Sequence, residues 1–400
     1  LPNEPLLLSS GIRSNSLVTT IFDSPDHSGR TLRSRVGHSS PPSVARYLHP
    51  GSVGGGILAN ASDGTDASSC QILSAGGPAD RTLRVFSTAR SVLDKEYSQG
   101  RGLAKRAREL GLEGGKTELL LPDITAFAIC EARSRDWGDL VTIHRDHAMA
   151  YVWVTRRGAQ SGPVLRQNSW NVSAMKIQPP VSCHATAVCL SSCGNFALVG
   201  TKGGTIYRYN VQSGMARGSY PRDATNSGSD GKGTGSGVVG SLERTMRMLE
   251  KKMRVDGISS LGDDDDADAD MDEAKLARAK LDERRQAHLL LARHDDASVT
   301  GLAVDAVNRT LISVGSDSKL ILWSFKTQAA HRKSPIYLPS PATMLRHVRD
   351  SDLAAIVLED YSVLIFDCDL QNIVRRLGIQ SLPSGPRHSA PITDVAFSPS

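Results

Sequence analysis

Aromatic residues are scarce, with Phe, Trp and Tyr together making up 5% of the 400 residues. A fold that leans on large ring clusters is therefore excluded. Cysteine is also thin, at six in 400 residues. That is far below a disulfide framework and fits thiols kept reduced inside a cell. No apolar run approaches the ~18 residues of a membrane span. No charge sign dominates: 47 basic against 42 acidic residues leave +5, which permits nucleic acid as a partner without arguing for it. The chain opens at Leu1-Pro2-Asn3-Glu4 without an initiator Met or a signal-peptide core, and stops at Phe397-Ser398-Pro399-Ser400 inside a repeat. It reads as an internal segment of a longer protein. What remains is enough apolar content for sizeable cores, 39% hydrophobic plus 36 glycines, so a wholly disordered chain is excluded.

The dominant feature is a repeat. Five segments share one ending, a turn residue followed six positions later by an aromatic: Asp80 to Phe86, His147 to Trp153, Gly203 to Tyr209, Asp317 to Trp323 and Asp360 to Phe366. A short Asx side chain suits a tight turn between two strands. In the fullest copy, Val299–Val304 alternates as a strand should, Leu311–Gly315 is a second strand and Leu320–Trp323 a third. The copy at 184–210 repeats this plan. Val18–Asp23 matches the end of a copy, and His388–Pro399 opens another. Aromatic-to-aromatic spacings are 67, 56, 114 and 43 residues. The last is a bare WD repeat and the others carry insertions. The expected fold class is all-β, of WD40-type β-propeller blades. In the fullest copy His294, Ser313, Asp317 and Trp323 are spaced to form the hydrogen-bonded network that ties a WD blade together, a scaffolding role.

Between the blades the sequence changes character. Gly51 to Ser69 reads as a flexible surface loop. Arg101, Lys105, Arg106 and Arg108 put four positive charges in eight residues of a helix-compatible connection. They read as a solvated linker or as a possible RNA-phosphate contact. The largest insertion runs from about Arg222 to Asp295. It holds a Ser/Gly-rich stretch, two helix-prone stretches and eight acids in the eleven residues Asp263–Glu273. It reads as a disordered excursion or as an arm that docks a partner. Cys183, His184, Cys189 and Cys193 lack the short paired spacing of a zinc site. Gly231-Lys232-Gly233 lacks the ending and the preceding strand of a phosphate loop. No catalytic constellation and no cofactor motif emerge.

Several strings go beyond the generic repeat. They are Gly37–Pro42, Arg81–Arg90, Leu121–Ala128 with Arg135-Asp136-Trp137, His184–Val188 with Ser191–Phe196 and Tyr209–Gly214, Gly301–Asp305 and Gly315–Asp317. Together they resemble the UTP twenty-one family, a WD-repeat subunit of the UTP-B module of the small-subunit processome, associated with U3 small nucleolar RNA. The resemblance is collinear from about Val18 to Ser400, except at Gly51–Ser69 and Arg222–Asp295. It implies two tandem propellers: last blades of the first at 1–88, a basic connection at 89–121, and blades of the second at 122–400, interrupted by the insertion at 222–295. It implies a non-catalytic scaffold for pre-rRNA processing and 18S rRNA maturation in the nucleus and nucleolus. The partners it implies are other WD-repeat subunits of UTP-B and the U3 small nucleolar RNA/pre-rRNA particle. It implies no cofactor, metal, membrane or small-molecule substrate. Two other readings compete: a WD40 adaptor in another intracellular complex, and a propeller enzyme using its central channel.

Overall fold

A computed structural model describes residues 6–10, 16–23, 25–26, 28–48, 71–87, 94–100, 102–167, 179–221, 292–347, 352–378, 388–395 and 397. The Gly51–Ser69 loop, Arg101 and nearly all of the 222–295 insertion lie outside them. The regular secondary structure of the described residues is almost entirely β.

Strands β1 (Leu6–Ser10), β2 (Ser16–Ile21) and β3 (Arg30–Val36) form a three-stranded antiparallel sheet. Five four-stranded sheets follow, each a meander in chain order. The first blade is β4 (Pro42–Leu48), β5 (Gln71–Gly76), β6 (Leu83–Ser87) and β7 (Lys95–Glu96). The second is β8 (Ile124–Ile129), β9 (Leu140–His144), β10 (Ala150–Trp153) and β11 (Val164–Leu165). The third is β12 (Ala185–Leu190), β13 (Phe196–Thr201), β14 (Ile206–Asn210) and β15 (Ala216–Tyr220). The fourth is β16 (Val299–Val304), β17 (Thr310–Gly315), β18 (Lys319–Ser324) and β19 (Ile336–Tyr337). The fifth is β20 (Ala342–His347), β21 (Leu353–Leu358), β22 (Val363–Asp367) and β23 (Asn372–Leu377). Each repeat ending seen in the sequence is the turn between the second and third strands of one blade, followed by the third strand.

Blades pack face to face, and this explains why the middle strands are apolar on both sides. In β17 and β18, Leu311, Ile321 and Trp323 face the third blade, where they meet Leu198, Ile206 and Tyr220. Ile312, Val314, Leu320 and Leu322 face the fifth, against Leu345, Ile356, Leu364 and Phe366. With a period of two, both sets are buried only because a blade lies on either side. Each such side chain contributes about 1.5–3 kcal/mol on burial. The second and third blades share a core around Val141, Val152, Val199 and Tyr209. The first and second share Leu73, Leu83, Val85, Ile124, Leu140 and Trp153. The boundary expected across 89–121 therefore coincides with no break in packing, because β4–β7 and β8–β11 bury one common set of side chains.

The innermost strands share a device. Each has a β-bulge at a Ser or Thr in its second position: Ser43, Thr125, Thr186, Thr300 and Thr343. A bulge turns one side chain out of the pleat. Three of these hydroxyls then donate to the first carbonyl of the next blade's inner strand, each at 2.7 Å: Ser43 to Ile124, Thr186 to Val299 and Thr300 to Ala342. Thr125 reaches only Ile143 of its own blade, at 3.4 Å. Such close approach leaves no room for a side chain at Gly301, where a Cβ would stand 2.3 Å from that of Leu345. Arg208 bolts the third blade to the fourth: its guanidinium lies 5.3 Å and 5.4 Å from the rings of Phe196 and Phe325 and donates to the Phe325 carbonyl at 2.6 Å.

The segment after β23 returns to the ring. Ile392, Val395 and Phe397 pack on Ala355, Val357 and Val363 of the fifth blade. Asp394 pairs with Arg346 of β20 at 3.0 Å and with Arg46 of β4. One carboxylate thus joins the first and fifth blades. Burial alone would raise its pKa, but the two guanidiniums outweigh that and hold it below the ordinary value.

Candidate functional site

The four residues spaced as a blade network come together in the fourth blade. His294 Nδ1 lies 2.9 Å and 3.1 Å from the two carboxylate oxygens of Asp317, and its Nε2 lies 2.9 Å from Ser313 Oγ. The Trp323 indole N–H donates to the same hydroxyl at 2.8 Å. Every proton has one place to go: indole to hydroxyl, hydroxyl to Nε2, Nδ1–H to carboxylate. The His294 side chain is fully buried. Asp317 starts the turn, and Ser318 behind it takes a left-handed φ of 58°. Burial raises the Asp317 pKa, but the hydrogen bond from His294, with the backbone N–H and charge of Lys319, brings it below the ordinary value. No substrate could reach Ser313 as a nucleophile, since the residue has no exposed surface.

Two further networks were not singled out from the sequence. In the first blade His38 pairs with Asp80 and its Nε2 lies 2.7 Å from Ser74 Oγ. Phe86 replaces the tryptophan and meets the imidazole edge-on at 6.0 Å. In the second blade Trp153 Nε1–H donates to Thr142 Oγ1 at 2.8 Å, and that hydroxyl lies 3.0 Å from His144 Nε2. His144 Nδ1–H donates to the Pro122 carbonyl at 2.6 Å. Here the imidazole comes from β9 itself, and a backbone carbonyl stands where the carboxylate would be. Burial pushes the His144 pKa down to about 4, against the opposing pull of the Pro122 carbonyl and of the nearby Asp123 carboxylate. The turn after β9 is also longer. Its left-handed residue, Asp146, lies seven positions before the aromatic, against five for Arg81, Gly204, Ser318 and Tyr361. The third blade has no such network: Val199 and Gly203 occupy the serine and aspartate positions, and His184 Nδ1 makes no hydrogen bond.

The basic connection holds a short helix, α1 (Leu103–Glu109). Ala107 is buried, while Lys105, Arg106 and Arg108 are exposed. Lys105 lies 3.8 Å from Glu109, an exposed pair of little weight. Gln99 anchors the connection to the first blade, donating to the Arg81 carbonyl at 2.6 Å and accepting from Leu121 N–H at 2.7 Å. Three of the four expected phosphate-contact residues therefore share one fixed, solvated element between the first and second blades. Arg101 lies outside the described residues. Among the described residues no group of three or more His, Cys, Asp or Glu could hold a metal ion, and no helix is long and apolar enough to cross a membrane.

Comparison with known proteins agrees with this architecture. Residues 64–245 match the family model for the WDR36/Utp21 second beta-propeller domain, and residues 286–324 match the WD domain, G-beta repeat. The chain is 29% identical over 399 residues to WD repeat-containing protein 36 of Homo sapiens, covering all of this chain and 32% of that protein. It is 26% identical over 409 residues to U3 small nucleolar RNA-associated protein 21 of Saccharomyces cerevisiae, covering all of this chain and 31% of the relative. It is 26% identical over 377 residues to the Schizosaccharomyces pombe homolog, covering 94% of this chain and 30% of the relative. The chain thus spans about a third of the length of these relatives. By the family model matched and by similarity along the whole of this chain, this WD40 propeller chain resembles the WDR36/Utp21 family.

Proposed function

We propose that the chain is part of a non-catalytic scaffold subunit of the small-subunit processome, acting in the nucleolus in pre-rRNA processing and 18S rRNA maturation. The observation that carries this reading is the similarity, over the described blades and beyond, to two proteins named for association with U3 small nucleolar RNA. The chemistry of the blades is in keeping with it. The His–Ser/Thr–Asp groups that could suggest a hydrolase are sealed inside the blades, where they can only hold strands together. The partners are other WD-repeat subunits of the UTP-B module and the U3/pre-rRNA particle. The tandem arrangement is part of the same proposal: the matching model describes a second propeller, and the relatives are about three times as long.

In this reading α1 contributes Lys105, Arg106 and Arg108, with Arg101 before it, to the phosphate backbone of RNA. Such contacts release counterions, so binding falls steeply as salt rises. Affinity purification of the full-length protein, with sequencing of co-purified RNA and identification of bound proteins, tests the reading. U3 and pre-rRNA together with WD-repeat partners are expected. Recovery of an unrelated assembly without either RNA would replace it by the adaptor reading.

A further inference from the structure

We infer that the loops after β8 and after β10 of the second blade form a second docking surface for the backbone of single-stranded RNA, through Arg133, Arg135, Arg156 and Arg157. The inference rests on the proposal that the protein works on RNA. The loop after β10 also meets the segment that leads to α1: Ser98 N–H donates to the Gly158 carbonyl and Gln160 N–H to the Ser98 carbonyl, each at 2.8 Å.

The four arginines come from two loops some twenty residues apart in sequence, which one buried acid holds together. Asp139, only 2% exposed, accepts from Thr155 N–H at 2.9 Å and from the Thr155 hydroxyl. Its own N–H donates to the Trp153 carbonyl at 3.1 Å. Gly138 allows this contact, since a Cβ there would stand 2.2 Å from Val152 Cγ1 and 3.0 Å from the Trp153 carbonyl oxygen. The buried Asp139 carboxylate is therefore engaged with Thr155 and forms no ion pair with the guanidiniums. All four arginines are exposed. Arg133 has an exposed partner in Asp136 at 3.2 Å, an ion pair that water and salt screen. No ion pair is formed by Arg135, Arg156 or Arg157 among the described residues.

Arg133 is also preorganised. Its guanidinium lies 5.4 Å from the centre of the Trp137 ring, and that indole is fixed by donating to the Gly194 carbonyl at 3.1 Å. The cluster uses arginine throughout, with no lysine in either loop. Arginine's planar fork meets phosphate oxygens in pairs, whereas lysine offers a point charge. Trp137 packs on the core shared with the third blade, so it supports Arg133 rather than a base. The surface accordingly reads backbone and not sequence.

The test uses full-length protein and a fluorescent 20-nucleotide oligouridine, with affinity measured between 50 and 200 mM salt. Replacing all four arginines by Glu is expected to weaken binding at least tenfold at 100 mM salt. It should also flatten the slope of log affinity against log salt by about three, from roughly 0.7 per phosphate contact. The corresponding Lys set should keep most of the slope. Should the Glu set melt early, a Gln set reads the same slope. Wild-type affinity and slope in a folded Glu or Gln set would overturn this surface. If Lys105→Glu, Arg106→Glu and Arg108→Glu together then abolish binding, the RNA reading stands without it. Wild-type protein that ignores oligouridine and binds polyglutamate would overturn both, and would assign the arginines to an acidic protein.

Discussion

Asp317 is the charged member of a closed proton chain, and its removal would leave His294 with an unpaired Nδ1–H inside the fourth blade. Leaving a buried donor unsatisfied costs about 1–3 kcal/mol, so Asp317→Ala should lower the unfolding free energy by that amount, seen as a lower denaturant midpoint with an unchanged slope. His144 makes a different prediction. Its folded pKa of about 4 lies below the ordinary 6.5 because burial opposes the charge. The unfolded chain takes up a proton near pH 6.5 and the folded chain does not until about 4, so stability is lost as pH falls through that window. Each pH unit is worth about 1.4 kcal/mol, which makes the loss about 2 kcal/mol between pH 7 and pH 5. His147 shifts in the same direction, chiefly by burial. Urea titrations at both pH values should show a smaller difference in His144→Gln than in the wild type. An equal difference would place the acid sensitivity elsewhere.

At the scale of strands, the bulged hydroxyls separate two kinds of blade junction. Thr300 spans from one inner strand to the next, while Thr125 stays within its own blade. Thr300→Val keeps the β-branched shape but leaves the Ala342 carbonyl without that partner, and should destabilise by about 1–2 kcal/mol. Thr125→Val should cost clearly less, and equal losses in urea unfolding would show that the cross-blade bond adds nothing. The legibility of these elements in the sequence follows their locality. The turn-to-aromatic spacing of six recurs in five segments, one per blade, so the third strands could be read directly, as could the His294–Ser313–Asp317–Trp323 spacing. The second-blade network could not, because His144 comes from inside a strand and its acceptor is the Pro122 carbonyl, which has no side-chain signature. The positive charge of α1 was visible as a run. The arginines of the 130–139 and 154–163 loops were not, since only the Asp139–Thr155 contact brings them together.

For the molecule as a whole, the long insertion enters after β15, the last strand of the third blade, and leaves before β16, the first of the fourth. It interrupts no strand pairing. Replacing residues 226–288 by a short Gly/Ser linker should leave cooperative unfolding intact, because loop length changes closure entropy only slowly. Loss of a single transition in calorimetry would show that the insertion packs on the blades.

The link between Arg46 and Asp394 joins residues 348 apart in sequence, whereas each blade is completed within a few dozen residues of its own first strand, insertions aside. During synthesis at about 5–20 residues per second, the first blade waits roughly 20–70 s for that aspartate. Blades therefore have time to form one by one on the ribosome while the ring stays open. The exposed face of the first blade is then a natural client for a chaperone, and slowing translation downstream of the fifth blade should lengthen that engagement.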